Sequence, residues 1–398
     1  MTQYSFWAAP YRPMFTGAAF WALICIGWWP LGVRLGLPAP GFGPIVLWHV
    51  HELLFGFAAL AVGGYLLTAL PNWVGKPPEK GLVLKALMGF WALGRLATVT
   101  ADHLPLGLVL IGNAIFFFVL FGLLFWRIVA AGVYVKTPFA IAILALGLVD
   151  TTYMTLAKSG DVTASLSLAR AVLIGFAILI TAIGTRAVPA FTTIWRQHQN
   201  LPALNAPHNE RLRLTALVLL ASAVFALLLN APDFTYGLLV LAALVLLATM
   251  TRWRSLSTWR NPLLFGLHIA FLWLPLGLLL VGSLWFFPTA YPMKNGLHAL
   301  TIGAISGMIM AFTGRAASHT PEGFLRAPPA LTCAMVLLWS ATVTRLAVPL
   351  VADAETWENT AALLWCASWT FYLIAMRPTL SGPPVRPVLS GRLPKNPA

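Results

Sequence analysis

Residues 47–70 read LWHVHELLFGFAALAVGGYLLTAL, with His49, His51 and Glu52 in the first six positions and no His, Asp, Glu, Lys or Arg in the eighteen that follow. A helix rises about 1.5 Å per residue, so this run reaches about 36 Å and can span a hydrocarbon core of about 30 Å. Lipid offers no partner for an open backbone N–H or C=O, so the run must be helical. Runs of the same kind surround it at 15–33, 82–101, 105–130, 137–157 and 168–190. Six more follow at 213–230, 235–251, 262–284, 292–314, 329–350 and 357–376. The sequence therefore predicts an all-α integral membrane protein of about twelve transmembrane helices.

Composition points the same way. Of 398 residues, 59% are hydrophobic and 9% charged, with a mean hydropathy of +0.83, and a water-soluble fold cannot hide that much apolar surface. A net charge of +14 would suit a nucleic-acid binder. The basic residues, however, are spread over short loops instead of forming one patch, so no nucleic-acid partner is expected.

Assigning loops alternately to two sides gathers Arg12, Lys76, Lys80, Arg127, Lys136, Arg196, Arg211, Arg213, Arg252, Arg254, Arg260, Arg315 and Arg326 on one side. The other side receives Arg34, Lys158 and Lys294. The positive-inside rule makes the first side cytoplasmic and places both termini there. The first run follows Arg12 like a signal peptide but lacks a clear cleavage site and is long enough to span, so it counts as the first helix. One transmembrane domain is expected over 1–376, followed by a Pro-rich, basic, irregular tail over 377–398. Cys25, Cys333 and Cys366 lie in apolar runs without CxxC spacing, which excludes a disulfide framework, a thiolate zinc site and covalent c-type haem.

Polar residues inside the spans are unevenly distributed in depth. His49, His51 and Glu52 open helix 2 on the outer side, Arg95 lies in the outer third of helix 3, Asp150 in that of helix 5, and Arg170 opens helix 6. His298 sits about two turns into helix 10 and Arg345 near the outer end of helix 11, whereas His268 and Arg186 lie deeper. Ionisable groups at such depth are costly and mark a site. A purely structural alternative pairs Asp150 with Arg170, and Glu52 with Arg95 or Arg345. Neutral histidines neutralise nothing, and in a helical bundle they most often bind a metal or haem iron. His49 and His51 are about 200° apart around a helix and so serve different neighbours. His51 and His298 are the expected haem ligands, and His49 and His268 are assigned to a second haem or copper centre. Arg95, Arg170 and Arg345 are available for the anionic haem propionates.

A repeat runs through these residues. His51-Glu-Leu-Leu-Phe-Gly56, Arg170-Ala-Val-Leu-Ile-Gly175 and His298-Ala-Leu-Thr-Ile-Gly303 each carry a polar head and a glycine five residues on, where a neighbouring helix or flat cofactor can approach. A four-helix period repeated three times resembles the pseudo-threefold plan of haem-copper oxidase catalytic subunits. The usual haem-copper centre cannot be built here, because helix 10 has a single histidine and helix 7 has none.

Trp48-His-Val-His-Glu52, Leu67-Thr-Ala-Leu-Pro-Asn-Trp73, Gly94-Arg-Leu-Ala97, Arg260-Asn-Pro262 ahead of His268, and His298-Ala-Leu-Thr-Ile-Gly303 through Arg315 to His319-Thr320 resemble the NnrS family over almost the whole chain. Ser306-Gly307 and Ala317-Ser318 vary the tenth-helix motif. The resemblance implies a haem- and copper-containing inner-membrane protein tied to the nitric oxide response and nitrosative-stress tolerance of denitrifying and related bacteria. It also implies b-type haem, with His49, His51, His268 and His298 as the matching histidines.

Three functions follow from these readings. The first is a membrane oxidoreductase or NO-handling protein, with nitric oxide as its small-molecule ligand and an electron donor the sequence does not identify. The second is a twelve-helix transporter, suggested by repeats and intramembrane polar groups. The third is a membrane sensor of NO or metal status.

Overall fold

The computed structural model describes residues 5–202, 204, 209–320, 322–385 and 387–390. Eleven helices among them are long and apolar enough to cross a membrane: α1 (Tyr11–Gly32), α2 (Ile45–Val74), α3 (Leu82–Val99), α4 (Leu106–Ala130), α5 (Tyr134–Lys158), α6 (Val162–His198), α7 (Glu210–Leu228), α8 (Pro232–Trp253), α9 (Pro262–Phe286), α10 (Met293–Ala317) and α11 (Pro329–Leu350). The twelfth predicted span is also a helix, α12 (Ala354–Met376). Glu355, Glu358, Asn359, Ser368 and Tyr372 dilute its apolar character, and it is not one of the eleven. Phe20, Leu96, Ile111, Val218 and Leu363 are exposed on helix surfaces, as suits helices whose solvent is lipid. The chain is a multi-pass, all-α membrane protein.

Helix ends depart from the predicted limits where polar groups find partners. The first span, expected from residue 15, begins at Tyr11 because Arg12 is buried. Its guanidinium donates to the carbonyls of Ser5 at 2.8 Å and Gly382 at 2.7 Å. α6 runs past the expected residue 190 to His198, where Arg196 donates to Pro202 O at 2.8 Å and to Ser257 Oγ at 3.1 Å. α1 is interrupted at Trp29 (φ −132°, ψ 124°), since the residue before a proline is pushed out of the helical region. Beyond α12 a single turn covers Arg377–Thr379, and no longer element follows among the described tail residues. Residues 391–398 of the predicted tail lie outside the described residues.

The contacts cluster into two units, residues 1–172 with 376–389, and residues 173–375. In the first, Gly94 of α3 and Gly112 of α4 bring the two helices together: a Cβ on Gly94 would meet Gly112 O at 3.1 Å, and one on Gly112 would meet Ala97 Cβ at 2.8 Å. In the second, α9 and α10 are antiparallel neighbours. Gly277 faces Leu300, Gly303 faces Trp273 and Gly307 faces Ala270. These three facing positions set one register for the pair.

Candidate functional site

The helix containing the opening stretch widens immediately after His51. Residues Glu52–Ala58 form a π-helical turn, in which the Ala59 N–H reaches back five residues to Leu54 O. α10 does the same after His298: Ala299–Ser306 is π-helical, and the Ser306 hydroxyl donates to Thr301 O, five residues back, at 2.8 Å. Such turns are rare and frequent at functional sites. The matching stretch of α6, Arg170–Gly175, stays an ordinary α-helix, so two of the three repeated segments share the feature. The glycines differ too. A Cβ at Gly56 would lie 2.7 Å from Arg95 Nη1, one at Gly303 would lie 2.6 Å from Trp273 Cγ, and one at Gly175 would meet nothing within 4 Å.

In the first unit, His51 is the centre of a buried ionic chain. Its Nδ1 lies 2.9 Å from Glu52 Oε1 and its Nε2 2.7 Å from Asp150 Oδ1 on α5. Glu52 Oε2 accepts from Arg95 Nη1 at 2.8 Å and from Trp21 Nε1 at 2.7 Å. Arg95 Nη2 continues to Asn113 Oδ1 on α4 at 2.8 Å. All of His51, Glu52 and Asp150 is buried, and Phe42, Phe55 and Tyr153 ring the imidazole at centroid distances of 5.8, 5.3 and 5.8 Å. Both ring nitrogens face carboxylate oxygens, so the arrangement is satisfied when both donate. The charges then balance, Glu52 and Asp150 against Arg95 and His51. Low polarity around the ring strengthens every one of these contacts. His49 is half-buried and turns elsewhere, edge-on to Trp29 at 4.8 Å, as the two-residue spacing requires.

The second unit holds its histidines differently. The Thr192 hydroxyl donates to Val188 O at 2.8 Å and its oxygen lies 2.8 Å from His268 Nε2, two contacts that are met together when Nε2 carries the ring hydrogen and Nδ1 the lone pair. Nδ1 is buried and has no hydrogen-bond partner among the described residues. Trp253 closes one side of the ring at 5.9 Å. His298 places Nδ1 3.2 Å from Asn295 O, and donation there directs the lone pair to Nε2. By the α9–α10 register, His268 lies opposite residue 308 or 309, about ten residues and roughly 15 Å along the helix from His298.

A family model described as NnrS protein matches residues 5–383. The chain belongs to the NnrS family. No curated protein matches it. The motifs that resemble NnrS lie on or next to α2, α3, α9 and α10, the helices that carry His49, His51, His268, His298 and Arg95.

The donors of this NnrS chain do not all suit the cofactors the family implies. His268 and His298 suit an iron or copper ligand, because a ligating histidine usually fixes its other nitrogen by donating to an oxygen. His51 does not suit one in this arrangement: Asp150 and Glu52 occupy both nitrogens from opposite edges of the ring. The expected pairing of Asp150 with Arg170 is likewise replaced by Asp150 with His51, since α2 presents His51 directly to α5. Of the two partners expected for Glu52, Arg95 is the one found, and Arg345 instead lies 3.7 Å from Glu358. Arg345 Nη1 is buried without a hydrogen-bond partner among the described residues and so has a donor to spare for an anion. Arg95 has given both terminal nitrogens to Glu52 and Asn113. Arg170 is half-buried on α6. Among the described residues no three His, Cys, Asp or Glu side chains converge on a metal position.

Asn113, Trp21, Thr192 and Tyr153 complete these sites and were not singled out from the sequence. Asn113 had a usable signal, as the lone amide among the 25 residues of the largely apolar α4. Thr192 had none, because threonines bonded to their own helix are common.

Proposed function

We propose that this protein is a b-type haem- and copper-binding protein of the bacterial inner membrane, with both termini cytoplasmic, that handles nitric oxide. The observation that carries this reading is His268, a buried imidazole with its tautomer fixed by Thr192 and an unmatched lone pair on Nδ1. An unsatisfied buried nitrogen is costly, and a metal is the partner that neutral imidazole most often takes inside a helical bundle. His298 presents Nε2 from the π turn of α10 and is the second candidate. The offset of roughly 15 Å along α9 and α10 supports reading the two as ligands of different centres. His49 is a separate candidate for the copper or second-haem centre, and His51 keeps the ionic role its carboxylates give it. Porphyrin supplies four nitrogens of its own, so haem needs one protein ligand, and the lack of a three-residue cluster among the described residues speaks less against haem than against a closed copper site. Haem iron with an open axial position binds nitric oxide, whereas bis-histidine iron passes electrons. Arg345 and Arg170 are the arginines proposed to face propionates.

The test is a visible absorption spectrum of the purified protein with and without dithionite, together with iron and copper analysis of wild type, His298→Ala and His268→Ala. A Soret band weakened in His298→Ala and a metal lost separately in His268→Ala are expected. Wild-type protein with no Soret band and no iron would end the haem reading and leave transport as the better account.

A further inference from the structure

The second unit carries a cavity that the cofactor chemistry does not use. It has a volume of about 430 Å³ and is lined by Thr185, Arg186 and Ala190 of α6, Asn209, Glu210 and Arg213 at the start of α7, and Thr249 near the end of α8. These helix ends belong to the side that collects the basic residues.

Its charges are unevenly matched. Arg213 grips both oxygens of Glu210 through Nε, at 2.8 Å, and Nη2, and Arg186 Nη2 reaches the same carboxylate at 3.2 Å. Two guanidinium groups share one carboxylate, which leaves an excess of one positive charge and, among the described residues, several unused N–H donors. The first turn of α7 adds the positive end of its dipole, where the Asn209 side chain accepts from the Leu212 N–H at 3.2 Å.

The remaining wall is apolar for a structural reason. The Thr185 hydroxyl is committed to Thr181 O at 2.6 Å and the Thr249 hydroxyl to Val245 O at 2.9 Å. With the hydroxyls so committed, the methyls are what these two threonines offer to the cavity that Ala190 also lines. A fully hydrated small anion would gain from the arginines and waste this wall. An amphiphile whose anionic group continues into hydrocarbon uses both, and basic pockets between transmembrane helices on the cytoplasmic side are suited to anionic headgroups.

We infer that Arg186, Arg213 and the α7 N-terminus form a seat for the phosphate of an anionic phospholipid, with Thr185, Ala190 and Thr249 against the start of its apolar part. Glu210 is the opposing carboxylate and sets how much positive charge the lipid meets.

Full-length protein in detergent is to be titrated with phosphatidylglycerol, phosphatidylcholine or inorganic phosphate and read by thermal shift, with lipid retained through purification counted by mass spectrometry. Wild type should retain phosphatidylglycerol and be stabilised by it over phosphatidylcholine. Arg186→Gln should lower retention about fivefold to tenfold, as loss of one charge-assisted contact worth about 1–1.4 kcal/mol implies. Glu210→Gln should raise it, because both arginines are then released to the lipid, and this opposite sign separates recognition from general damage. Equal retention in wild type, Arg186→Gln and Glu210→Gln would overturn the inference. Stabilisation by inorganic phosphate that matches phosphatidylglycerol would overturn the assignment to lipid.

Discussion

His51 on α2 and His298 on α10 each open a π-helical turn, and each is followed five residues on by a glycine packed against a neighbour. The surroundings of the two rings are opposite. Around His51 two carboxylates, an arginine, an amide and an indole close a chain in which both ring nitrogens are used. Around His298 a backbone oxygen, and around the deeper His268 a hydroxyl oxygen, meets one ring nitrogen, and no carboxylate pair brackets either ring among the contacts described above. A local motif therefore does not determine a histidine's surroundings; what neighbouring helices place against the ring does.

The largest effect should come from opening the closed side. Arg95→Leu leaves Glu52 as a buried carboxylate without its main partner, a change worth about 3–5 kcal/mol. Thermal unfolding in detergent should show it, and the Glu52→Gln/Arg95→Leu double variant should recover part of the loss. Unchanged stability in Arg95→Leu would mean that the ionic chain holds nothing together.

On the other side the expected loss is of metal and not of stability. His268→Ala should lower bound metal at one centre at least tenfold with little change in unfolding temperature, while His51→Gln should lower the unfolding temperature and leave metal content largely intact. If His51→Gln strips the cofactor while His268→Ala keeps it, the comparison has been drawn the wrong way round. Thr192→Val sharpens it further: without the hydroxyl that holds Nε2–H, metal affinity at His268 should fall roughly tenfold to a hundredfold, the usual cost of losing an orienting partner. Metal titration of the variant measures this directly.

The smallest effects separate the repeated glycines. Gly303→Ala pushes a methyl into Trp273 and should cost about 1–2 kcal/mol. Gly175→Ala enters open space in the middle of α6 and should be neutral or stabilising by up to about 1 kcal/mol. Paired unfolding curves decide it, and an equal cost at both positions would remove the distinction between the π-helical and regular members of the repeat.

Apolar run length made the spans legible, down to α12, where charge and aromatic content blur the signal. Depth alone gathered His51, Glu52, Arg95 and Asp150 into one layer. Their pairing was not legible: depth counted along a helix is good to about a turn, and whether Asp150 meets Arg170 or His51 depends on helix rotation to within one side chain. The π turns were hidden for a related reason, since the segments after His51 and His298 contain the same apolar residue types as the ordinary helix after Arg170. Family motifs pointed to α2, α3, α9 and α10 without saying which nitrogens already have partners.

Arg12 adds a constraint in time. Its acceptors include Gly382 O at 2.7 Å and Ser381 O at 3.3 Å, and Ser381 is 369 residues downstream. At about 5–20 residues per second of synthesis, roughly 20–70 s pass between the making of Arg12 and of these carbonyls. During that interval the guanidinium has the Ser5 and Tyr11 part of its final cradle among the described residues. The seal between the first helix and the segment after the last one is therefore a late event of biogenesis, and a chain stopped short of Ser381 leaves the ribosome without two of the carbonyls that hold this cation.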